Sequence, residues 1–203
     1  MGKTIAKVDM TQKIEDLREN GFTVTQIITK NLILRPGRIS DFDAVNSYAQ
    51  MDEVCRFIRP SEGDEKTRKM LEAFVQPWRF EQGEWHGLII TLPELDQAIG
   101  DVVFRIDDLL TRRVEIGYRL SPKYAGKGYI TEAAKATVDM LFNALDITKL
   151  VARCDTRNIP SYKVMEKLGM KREAEFKAHY LNGNELTDQY DYGILESEWR
   201  TNH

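Results

Sequence analysis

Leu120-Ser121-Pro122-Lys123-Tyr124-Ala125-Gly126-Lys127-Gly128-Tyr129-Ile130-Thr131-Glu132-Ala133 joins a strand-like run to a helix-like one, and its reading decides the fold. Upstream lies Val114-Glu115-Ile116-Gly117-Tyr118-Arg119-Leu120, a strand by composition. Downstream, Thr131 to Leu145 carries Ala134, Val138, Leu141, Phe142 and Leu145 at helical spacing. Between them, Gly126 and Gly128 let the backbone approach a ligand closely. The helix that follows opens with unpaired N–H groups and a partial positive charge. In physical terms this is a cradle for a pyrophosphate. No Gly-Lys-Ser/Thr follows, so it is not a P-loop, and it lacks the third glycine of a dinucleotide fingerprint. A glycine-rich turn with no ligand is the competing reading.

Working outward, Leu150 to Cys154 is a β-branched strand, followed by a second helix. Asn158 is that helix's natural N-cap, Pro160 sits in its first turn and Gly169 ends it. Residues 114–154 therefore form a β-α-β unit with parallel strands and a right-handed crossover. Leu88–Thr91 and Ala98–Phe104 precede it across short polar turns, as an antiparallel meander. Earlier still, Leu32–Arg35 reads as a strand stopped by Pro36-Gly37. Ser40 offers an N-cap for a helix through Phe42, Val45 and Tyr48. Glu65 to Phe80 reads as another helix, with Met70, Leu71, Phe74 and Val75 on one side. Strands near Phe176–Tyr180 and Thr187–Ile194 close the chain. The predicted class is α/β, with a mixed sheet of about seven strands, antiparallel in its first half around a central parallel pair. Residues 1–22, polar and helix-prone from Met10 to Glu19, read as an N-terminal extension. Residues 23–203 read as one domain, since no repeat or linker interrupts them.

At 203 residues, 42% hydrophobic and 30% charged, the chain can bury a core without metals or disulfides. A net charge of −3 gives no electrostatic footprint for nucleic acid. Cys55 and Cys154 stand far apart without a CxxC or a His-rich neighbourhood, which reads as two free thiols in a reducing compartment. No apolar run reaches the roughly 18 residues a membrane span needs, and Met1 to Met10 lacks a signal-peptide core. The expectation is a cytoplasmic protein with no membrane, metal or nucleic-acid partner.

The loop does not stand alone. Ile116-Gly117-Tyr118-x-Leu120 precedes it, and Asp155-x-x-Asn158-x-x-Ser161-x-x-x-Met165-Glu166-Lys167-Leu168-Gly169-Met170 follows after the next strand. The tail carries Tyr180-Leu181-Asn182-Gly183, Asp188 and Glu196-x-Glu198-Trp199. Together these resemble the RimJ/RimL-like branch of the GNAT superfamily, which contains ribosomal-protein N-terminal acetyltransferases, from about Leu32 to Trp199. The resemblance implies a GNAT-like acyl-CoA N-acyltransferase fold, acetyl-CoA as co-substrate, and an amine acceptor that is a protein N-terminus or a small molecule. A homodimer is a family-level expectation. The amides of Gly126, Lys127, Gly128, Tyr129, Ile130 and Thr131 would hold the CoA pyrophosphate. Main-chain groups of Tyr118, Arg119 and Leu120 would hold the pantetheine arm where the parallel strands splay. Asn158 and Ser161 would lie beside the arm and the thioester. For Asn158 a plain N-cap is the alternative, and both roles can hold together. For Ser161 the alternative is a first-turn serine facing solvent.

Three departures stand out. The superfamily pattern has Gln or Arg at Ala125 and Gly or Ala at Ile130, and many members place a tyrosine acid at Met165. Methionine cannot protonate a thiolate; in the branch this chain resembles, Ser161 is the polar group left nearby, and the resemblance gives it the hydrogen bond to the departing sulfur. For the base, the amine's own chemistry matters: at pH 7 roughly a tenth of an α-amine is neutral, against about one in 2,500 of a lysine amine. The candidates are His179 and Glu115. His179 reads equally as an exposed strand histidine, and Glu115 as a structural ion pair with Arg113 or Arg153. Glu185, Asp188 and Asp191 attract a cationic acceptor or form a solvated loop. Besides an active enzyme, an acyl-CoA-binding module without turnover and an interaction protein on the same fold remain open. The acceptor is chosen by the variable segment from about Val54 to Trp85.

Overall fold

The computed structural model describes residues 19–58 and 63–202. Most of the proposed N-terminal extension lies outside them, but Phe22 bridges to Trp78 and Val24 is already in the core. The strands are β1 (Ile27–Ile28), β2 (Ile33–Arg35), β3 (His86–Leu92), β4 (Leu95–Asp108), β5 (Arg113–Leu120), β6 (Lys149–Asp155), β7 (Lys171–Asn182) and β8 (Glu185–Leu195). The helices are α1 (Phe42–Ala49), α2 (Asp52–Cys55), α3 (Gly63–Val75), α4 (Tyr129–Ala144), α5 (Ile159–Lys167) and α6 (Glu196–Asn202).

All eight strands make one sheet in the order β1-β2-β3-β4-β5-β6-β8-β7. Every neighbouring pair is antiparallel except β5–β6, the parallel pair expected around the α4 crossover. The strand beyond the expected seven is β1, two residues long with Ile28 exposed, too short to show any periodicity in sequence. Side chains alternate across the pleat, so each strand feeds two layers. Leu88, Ile90, Val102, Phe104, Val114, Ile116, Leu150 and Ala152 pack under Ala134, Val138, Leu141 and Phe142 of α4 and Val164 and Met165 of α5. Ile89 and Ala98 point the other way, against Val45 and Tyr48 of α1 and Leu71 and Phe74 of α3.

Three local expectations need correction. Ser40 is not a cap: residues 39–41 form a 3₁₀ turn, and Asp41 accepts from the Arg38 amide and pairs with buried Arg35. The helix expected to reach Phe80 stops at Val75, because Pro77 cannot continue it and disfavours helical geometry at Gln76. Val75 is exposed there, while Trp78 and Phe80 turn into the main core. The tail holds a helix that periodicity did not reveal, α6, pinned to α4 by the Trp199 indole donating to Asp139 at 2.8 Å.

Candidate active site

The site grows from a failure of pairing. β5 and β6 share only Arg113↔Lys149, Val114↔Leu150 and Glu115↔Val151. Beyond that, β5 stays with β4 as far as Leu120, and β6 follows β8 as far as Asp155. The strands therefore splay, and the β6-facing main chain from Gly117 to Leu120 has no ladder partner. Peptide groups left in this way bind whatever polar chain enters the gap.

At the open end stands the glycine loop. Gly126 and Gly128 have φ of 77° and 80°, the left-handed region, and no atom lies within 4 Å of where a Cβ would be at either. Gly128 is the N-cap of α4, and the helix's own ladder begins with the Glu132 amide donating to the Gly128 carbonyl. The amides of Tyr129, Ile130 and Thr131 are thus the helix's free first-turn donors. Ile130, the bulky departure from the family pattern, packs against the main core, and Ala125 is exposed. Lys127 lies 5.9 Å from the Tyr124 ring and 5.8 Å from the Tyr129 ring.

On the floor of the splay three side chains meet. The Tyr118 phenol donates to the Ser161 carbonyl at 2.8 Å, and the Ser161 hydroxyl lies 3.5 Å from the phenol oxygen. Cys154 shares this cluster, its sulfur beside the Ser161 hydroxyl; burial, with Asp155 next to it, pushes its thiol up to about 12. Ser161 does not simply face solvent. Asn158 caps α5 by accepting from the Ser161 amide at 3.3 Å, with its amide hydrogens uncommitted among the described residues. Met165 is buried under α5. The roles of Tyr118 and Cys154 were legible in principle: Tyr118 shares the parity of Val114 and Ile116, and Cys154 that of Leu150 and Ala152.

The opposite face of the same strands is ionic. Glu115 accepts from Arg105 at 2.6 Å and from Arg153 at 2.8 Å. Arg153, one of the expected partners, is there; Arg113, the other, pairs with Asp107 instead. Arg119, expected at the arm through its main chain, sends its side chain to buried Asp101, which also accepts from Tyr48 at 2.8 Å. The acidic stretch is internally neutralised: Glu185 pairs with Arg157, Asp188 with Lys177, and Asp191 with Arg153. Arg157 also holds buried Asp155 at 2.7 Å and lies over the Phe57 ring at 5.6 Å, tying the loop after β6 to the segment after α2.

His179 is not brought to the splay floor. It lies on β7, two strands beyond β6, a separation of about 10 Å at ordinary strand spacing. The register slips between Phe176 and Tyr180, with Ala178 at φ 47° and its amide held by Asp188 at 2.8 Å. This bulge turns the exposed His179 ring onto Phe176, 4.6 Å between centroids. Bulges of this kind re-aim side chains. Phe176 pairs with Gln189, and Gln189 with Asp155, which puts the bulge in line with the end of β6.

A splayed parallel pair, a glycine loop opening the following helix and a hydroxyl cluster between them make up the candidate site. The acetyltransferase (GNAT) domain family matches residues 31–171, and the chain belongs to it. It is 37% identical over 173 residues to the uncharacterised N-acetyltransferase YnaD of Bacillus subtilis, covering 85% of this chain and 98% of that one. A GNAT-family acetyltransferase of Bacillus anthracis superposes with a TM-score of 0.75 at 32% identity, over 86% of this chain and 100% of that one. The fold is also that of RimL, a ribosomal α-N-protein acetyltransferase solved in complex with coenzyme A, with a TM-score of 0.71 at 18% identity over 83% and 96% of the two chains. The chain is thus an N-acetyltransferase, of a family that moves acetyl from acetyl-CoA to an amine. Among the described residues no helix is long and apolar enough to cross a membrane.

Proposed function

We propose that the protein transfers acetyl directly from acetyl-CoA to a primary amine in a ternary complex, and that the amine is an α-amine such as a protein N-terminus. Acetyl-CoA supplies an acyl carbon activated as a thioester. The free amides from Gly126 to Thr131 bind its pyrophosphate, and the unpaired edge from Tyr118 through Arg119 to Leu120 aligns its arm, with Asn158 beside it. Ser161 donates a hydrogen bond to the departing sulfur. The amine arrives from the ionic face, near the bulge that carries His179, which accepts its proton directly or through one water.

The observation that carries direct transfer is Cys154. Its thiol lies beside Ser161 and burial pushes it up to about 12, so it stays protonated at neutral pH. It is a poor relay for acetyl. The α-amine is favoured because Asp101, Glu115 and Asp155, the buried carboxylates of the acceptor face, are already engaged by arginines. An acceptor partly neutral in solution needs least from the remaining histidine. The test is CoA release across peptides with free or blocked N-termini, lysine-bearing blocked peptides and polyamines. Turnover confined to free N-termini supports this acceptor, whereas turnover confined to lysines or polyamines refutes it. Radiolabelled acetyl-CoA supplied without acceptor should leave no label on the protein; a labelled Cys154 would overturn direct transfer.

A further inference from the structure

We propose that Tyr118 is the positioning residue of the reaction: its phenol spans the splay and holds Ser161 where the sulfur departs. This rests on Ser161 being the donor to that sulfur. The two walls of the cleft are mechanically separate here. β5 has parted from β6 after Glu115, and α5 follows β6 through the Asp155–Asn158 turn. The Tyr118–Ser161 hydrogen bond joins one wall to the other, from the unpaired end of β5 to the first turn of α5. It accordingly sets the distance between the strand edge that aligns the arm and the hydroxyl that must meet its sulfur.

The chemistry of the pair suits a holder rather than an acid. Burial pushes the Tyr118 phenol above its ordinary value, opposed by the contact from the Ser161 hydroxyl, so it stays a donor at any working pH. Its proton is committed to the Ser161 carbonyl, while its oxygen offers the Ser161 hydroxyl a long, weak contact at 3.5 Å. Such a contact orients the hydroxyl and is given up when a better acceptor forms. During transfer, the amine nitrogen bonds to the acetyl carbon and the C–S bond breaks with its electron pair staying on sulfur. The Ser161 O–H then turns from the phenol to the thiolate. The amine's proton leaves toward His179 or water, and neither Tyr118 nor Ser161 loses one. Met165, one turn further along α5, has no proton to give.

The experiment is a double-mutant cycle with Tyr118→Phe and Ser161→Ala, with acetyl-CoA binding followed by calorimetry. Tyr118→Phe should lower kcat about tenfold, roughly one oriented hydrogen bond, with the acetyl-CoA Kd within about twofold of the parent. In the Ser161→Ala background the same change should cost nothing further, because a residue acting through Ser161 has nothing left to act on. Independent, additive losses would make Tyr118 a separate contributor and overturn the inference. So would a silent Tyr118→Phe beside a damaging Ser161→Ala, which leaves the role of Ser161 intact. Full activity in Ser161→Ala alone would instead remove the reading on which the inference rests. A Tyr118→Phe protein that circular dichroism shows to be unfolded also overturns it, since the hydroxyl would then serve the fold.

Discussion

The two faces of the central strands obey different rules. Toward α4 and α5, the side chains of β4, β5 and β6 are apolar until the splay opens, and there a phenol, a hydroxyl and a thiol appear. Toward α1 and α3, the same strands carry Asp101, Arg105, Glu115, Arg119, Arg153 and Asp155, joined into ion pairs. Strand parity alone separates the sets, since a one-residue step changes the face. The face proposed for the cofactor is built of backbone, glycine torsion and small donors. The face proposed for the acceptor is built of charges that mostly cancel one another. On that proposal, substitutions on the second would alter what is acetylated while leaving the glycine loop and its core in place.

The strongest way to break this comparison is Glu115→Gln. If the ionic face is structural at that point, removing the charge takes the carboxylate from Arg105 and leaves Arg153 only Asp107 and Asp191, and should cost about 3 kcal/mol of stability, the low end for a buried pair. Thermal and urea denaturation would show it, with kcat retained in the folded fraction. A stable variant that has lost its activity would move the base to β5.

Next in size, His179→Ala should lower kcat/KM about 100-fold, the low end for general-base catalysis, and should flatten the pH–rate profile. The loss should be larger for a lysine acceptor than for an α-amine. A pH–rate profile unchanged by the substitution would mean that the acceptor enters already deprotonated.

On the cofactor side, Gly128→Val should weaken acetyl-CoA binding at least about tenfold, or 1.4 kcal/mol. Among the described residues nothing beyond its chain neighbours lies within 4 Å of the added Cβ. The loss would come from the left-handed torsion and from bulk placed where the ligand's phosphates would lie. Undiminished affinity by calorimetry would reduce the loop to a turn.

The smallest effect probes a titratable group inside the apolar cluster. His86 lies 2.8 Å from the Gln76 carbonyl through Nε2, while among the described residues Nδ1 is buried without a partner. Burial holds its pKa below the ordinary value. The unfolded chain therefore takes up the proton first, so this contribution is complete above about pH 6.5 and is lost as pH falls below it. Between pH 7.5 and 6 the loss should be under about 1 kcal/mol, read as a drop in Tm that His86→Gln flattens. A slope unchanged in that variant would assign the acid sensitivity to other groups.

Much of this was legible beforehand. Gly126, Gly128 and the stripe Ala134, Val138, Leu141 and Phe142 gave the cradle and α4, because torsional freedom and helical period are local properties. The Asn158 cap and Gly169 end bounded α5 for the same reason. Glu115 was open between base and ion pair because its partner Arg105 lies on β4, and only sheet register brings the two together. His179 was expected near the acceptor, but the bulge that aims it depends on Asp188 reaching across from β8.

By itself, then, the sequence determined the class of sheet, the crossover and the glycine loop that opens α4. Each of these is written in nearest-neighbour torsions and in periodic burial. Tertiary structure decided where β5 and β6 part, that Tyr118 reaches Ser161 across the gap, and which carboxylates are already spent on arginines. Those depend on distances between residues tens of positions apart, which pairing register and helix packing set and no local pattern encodes.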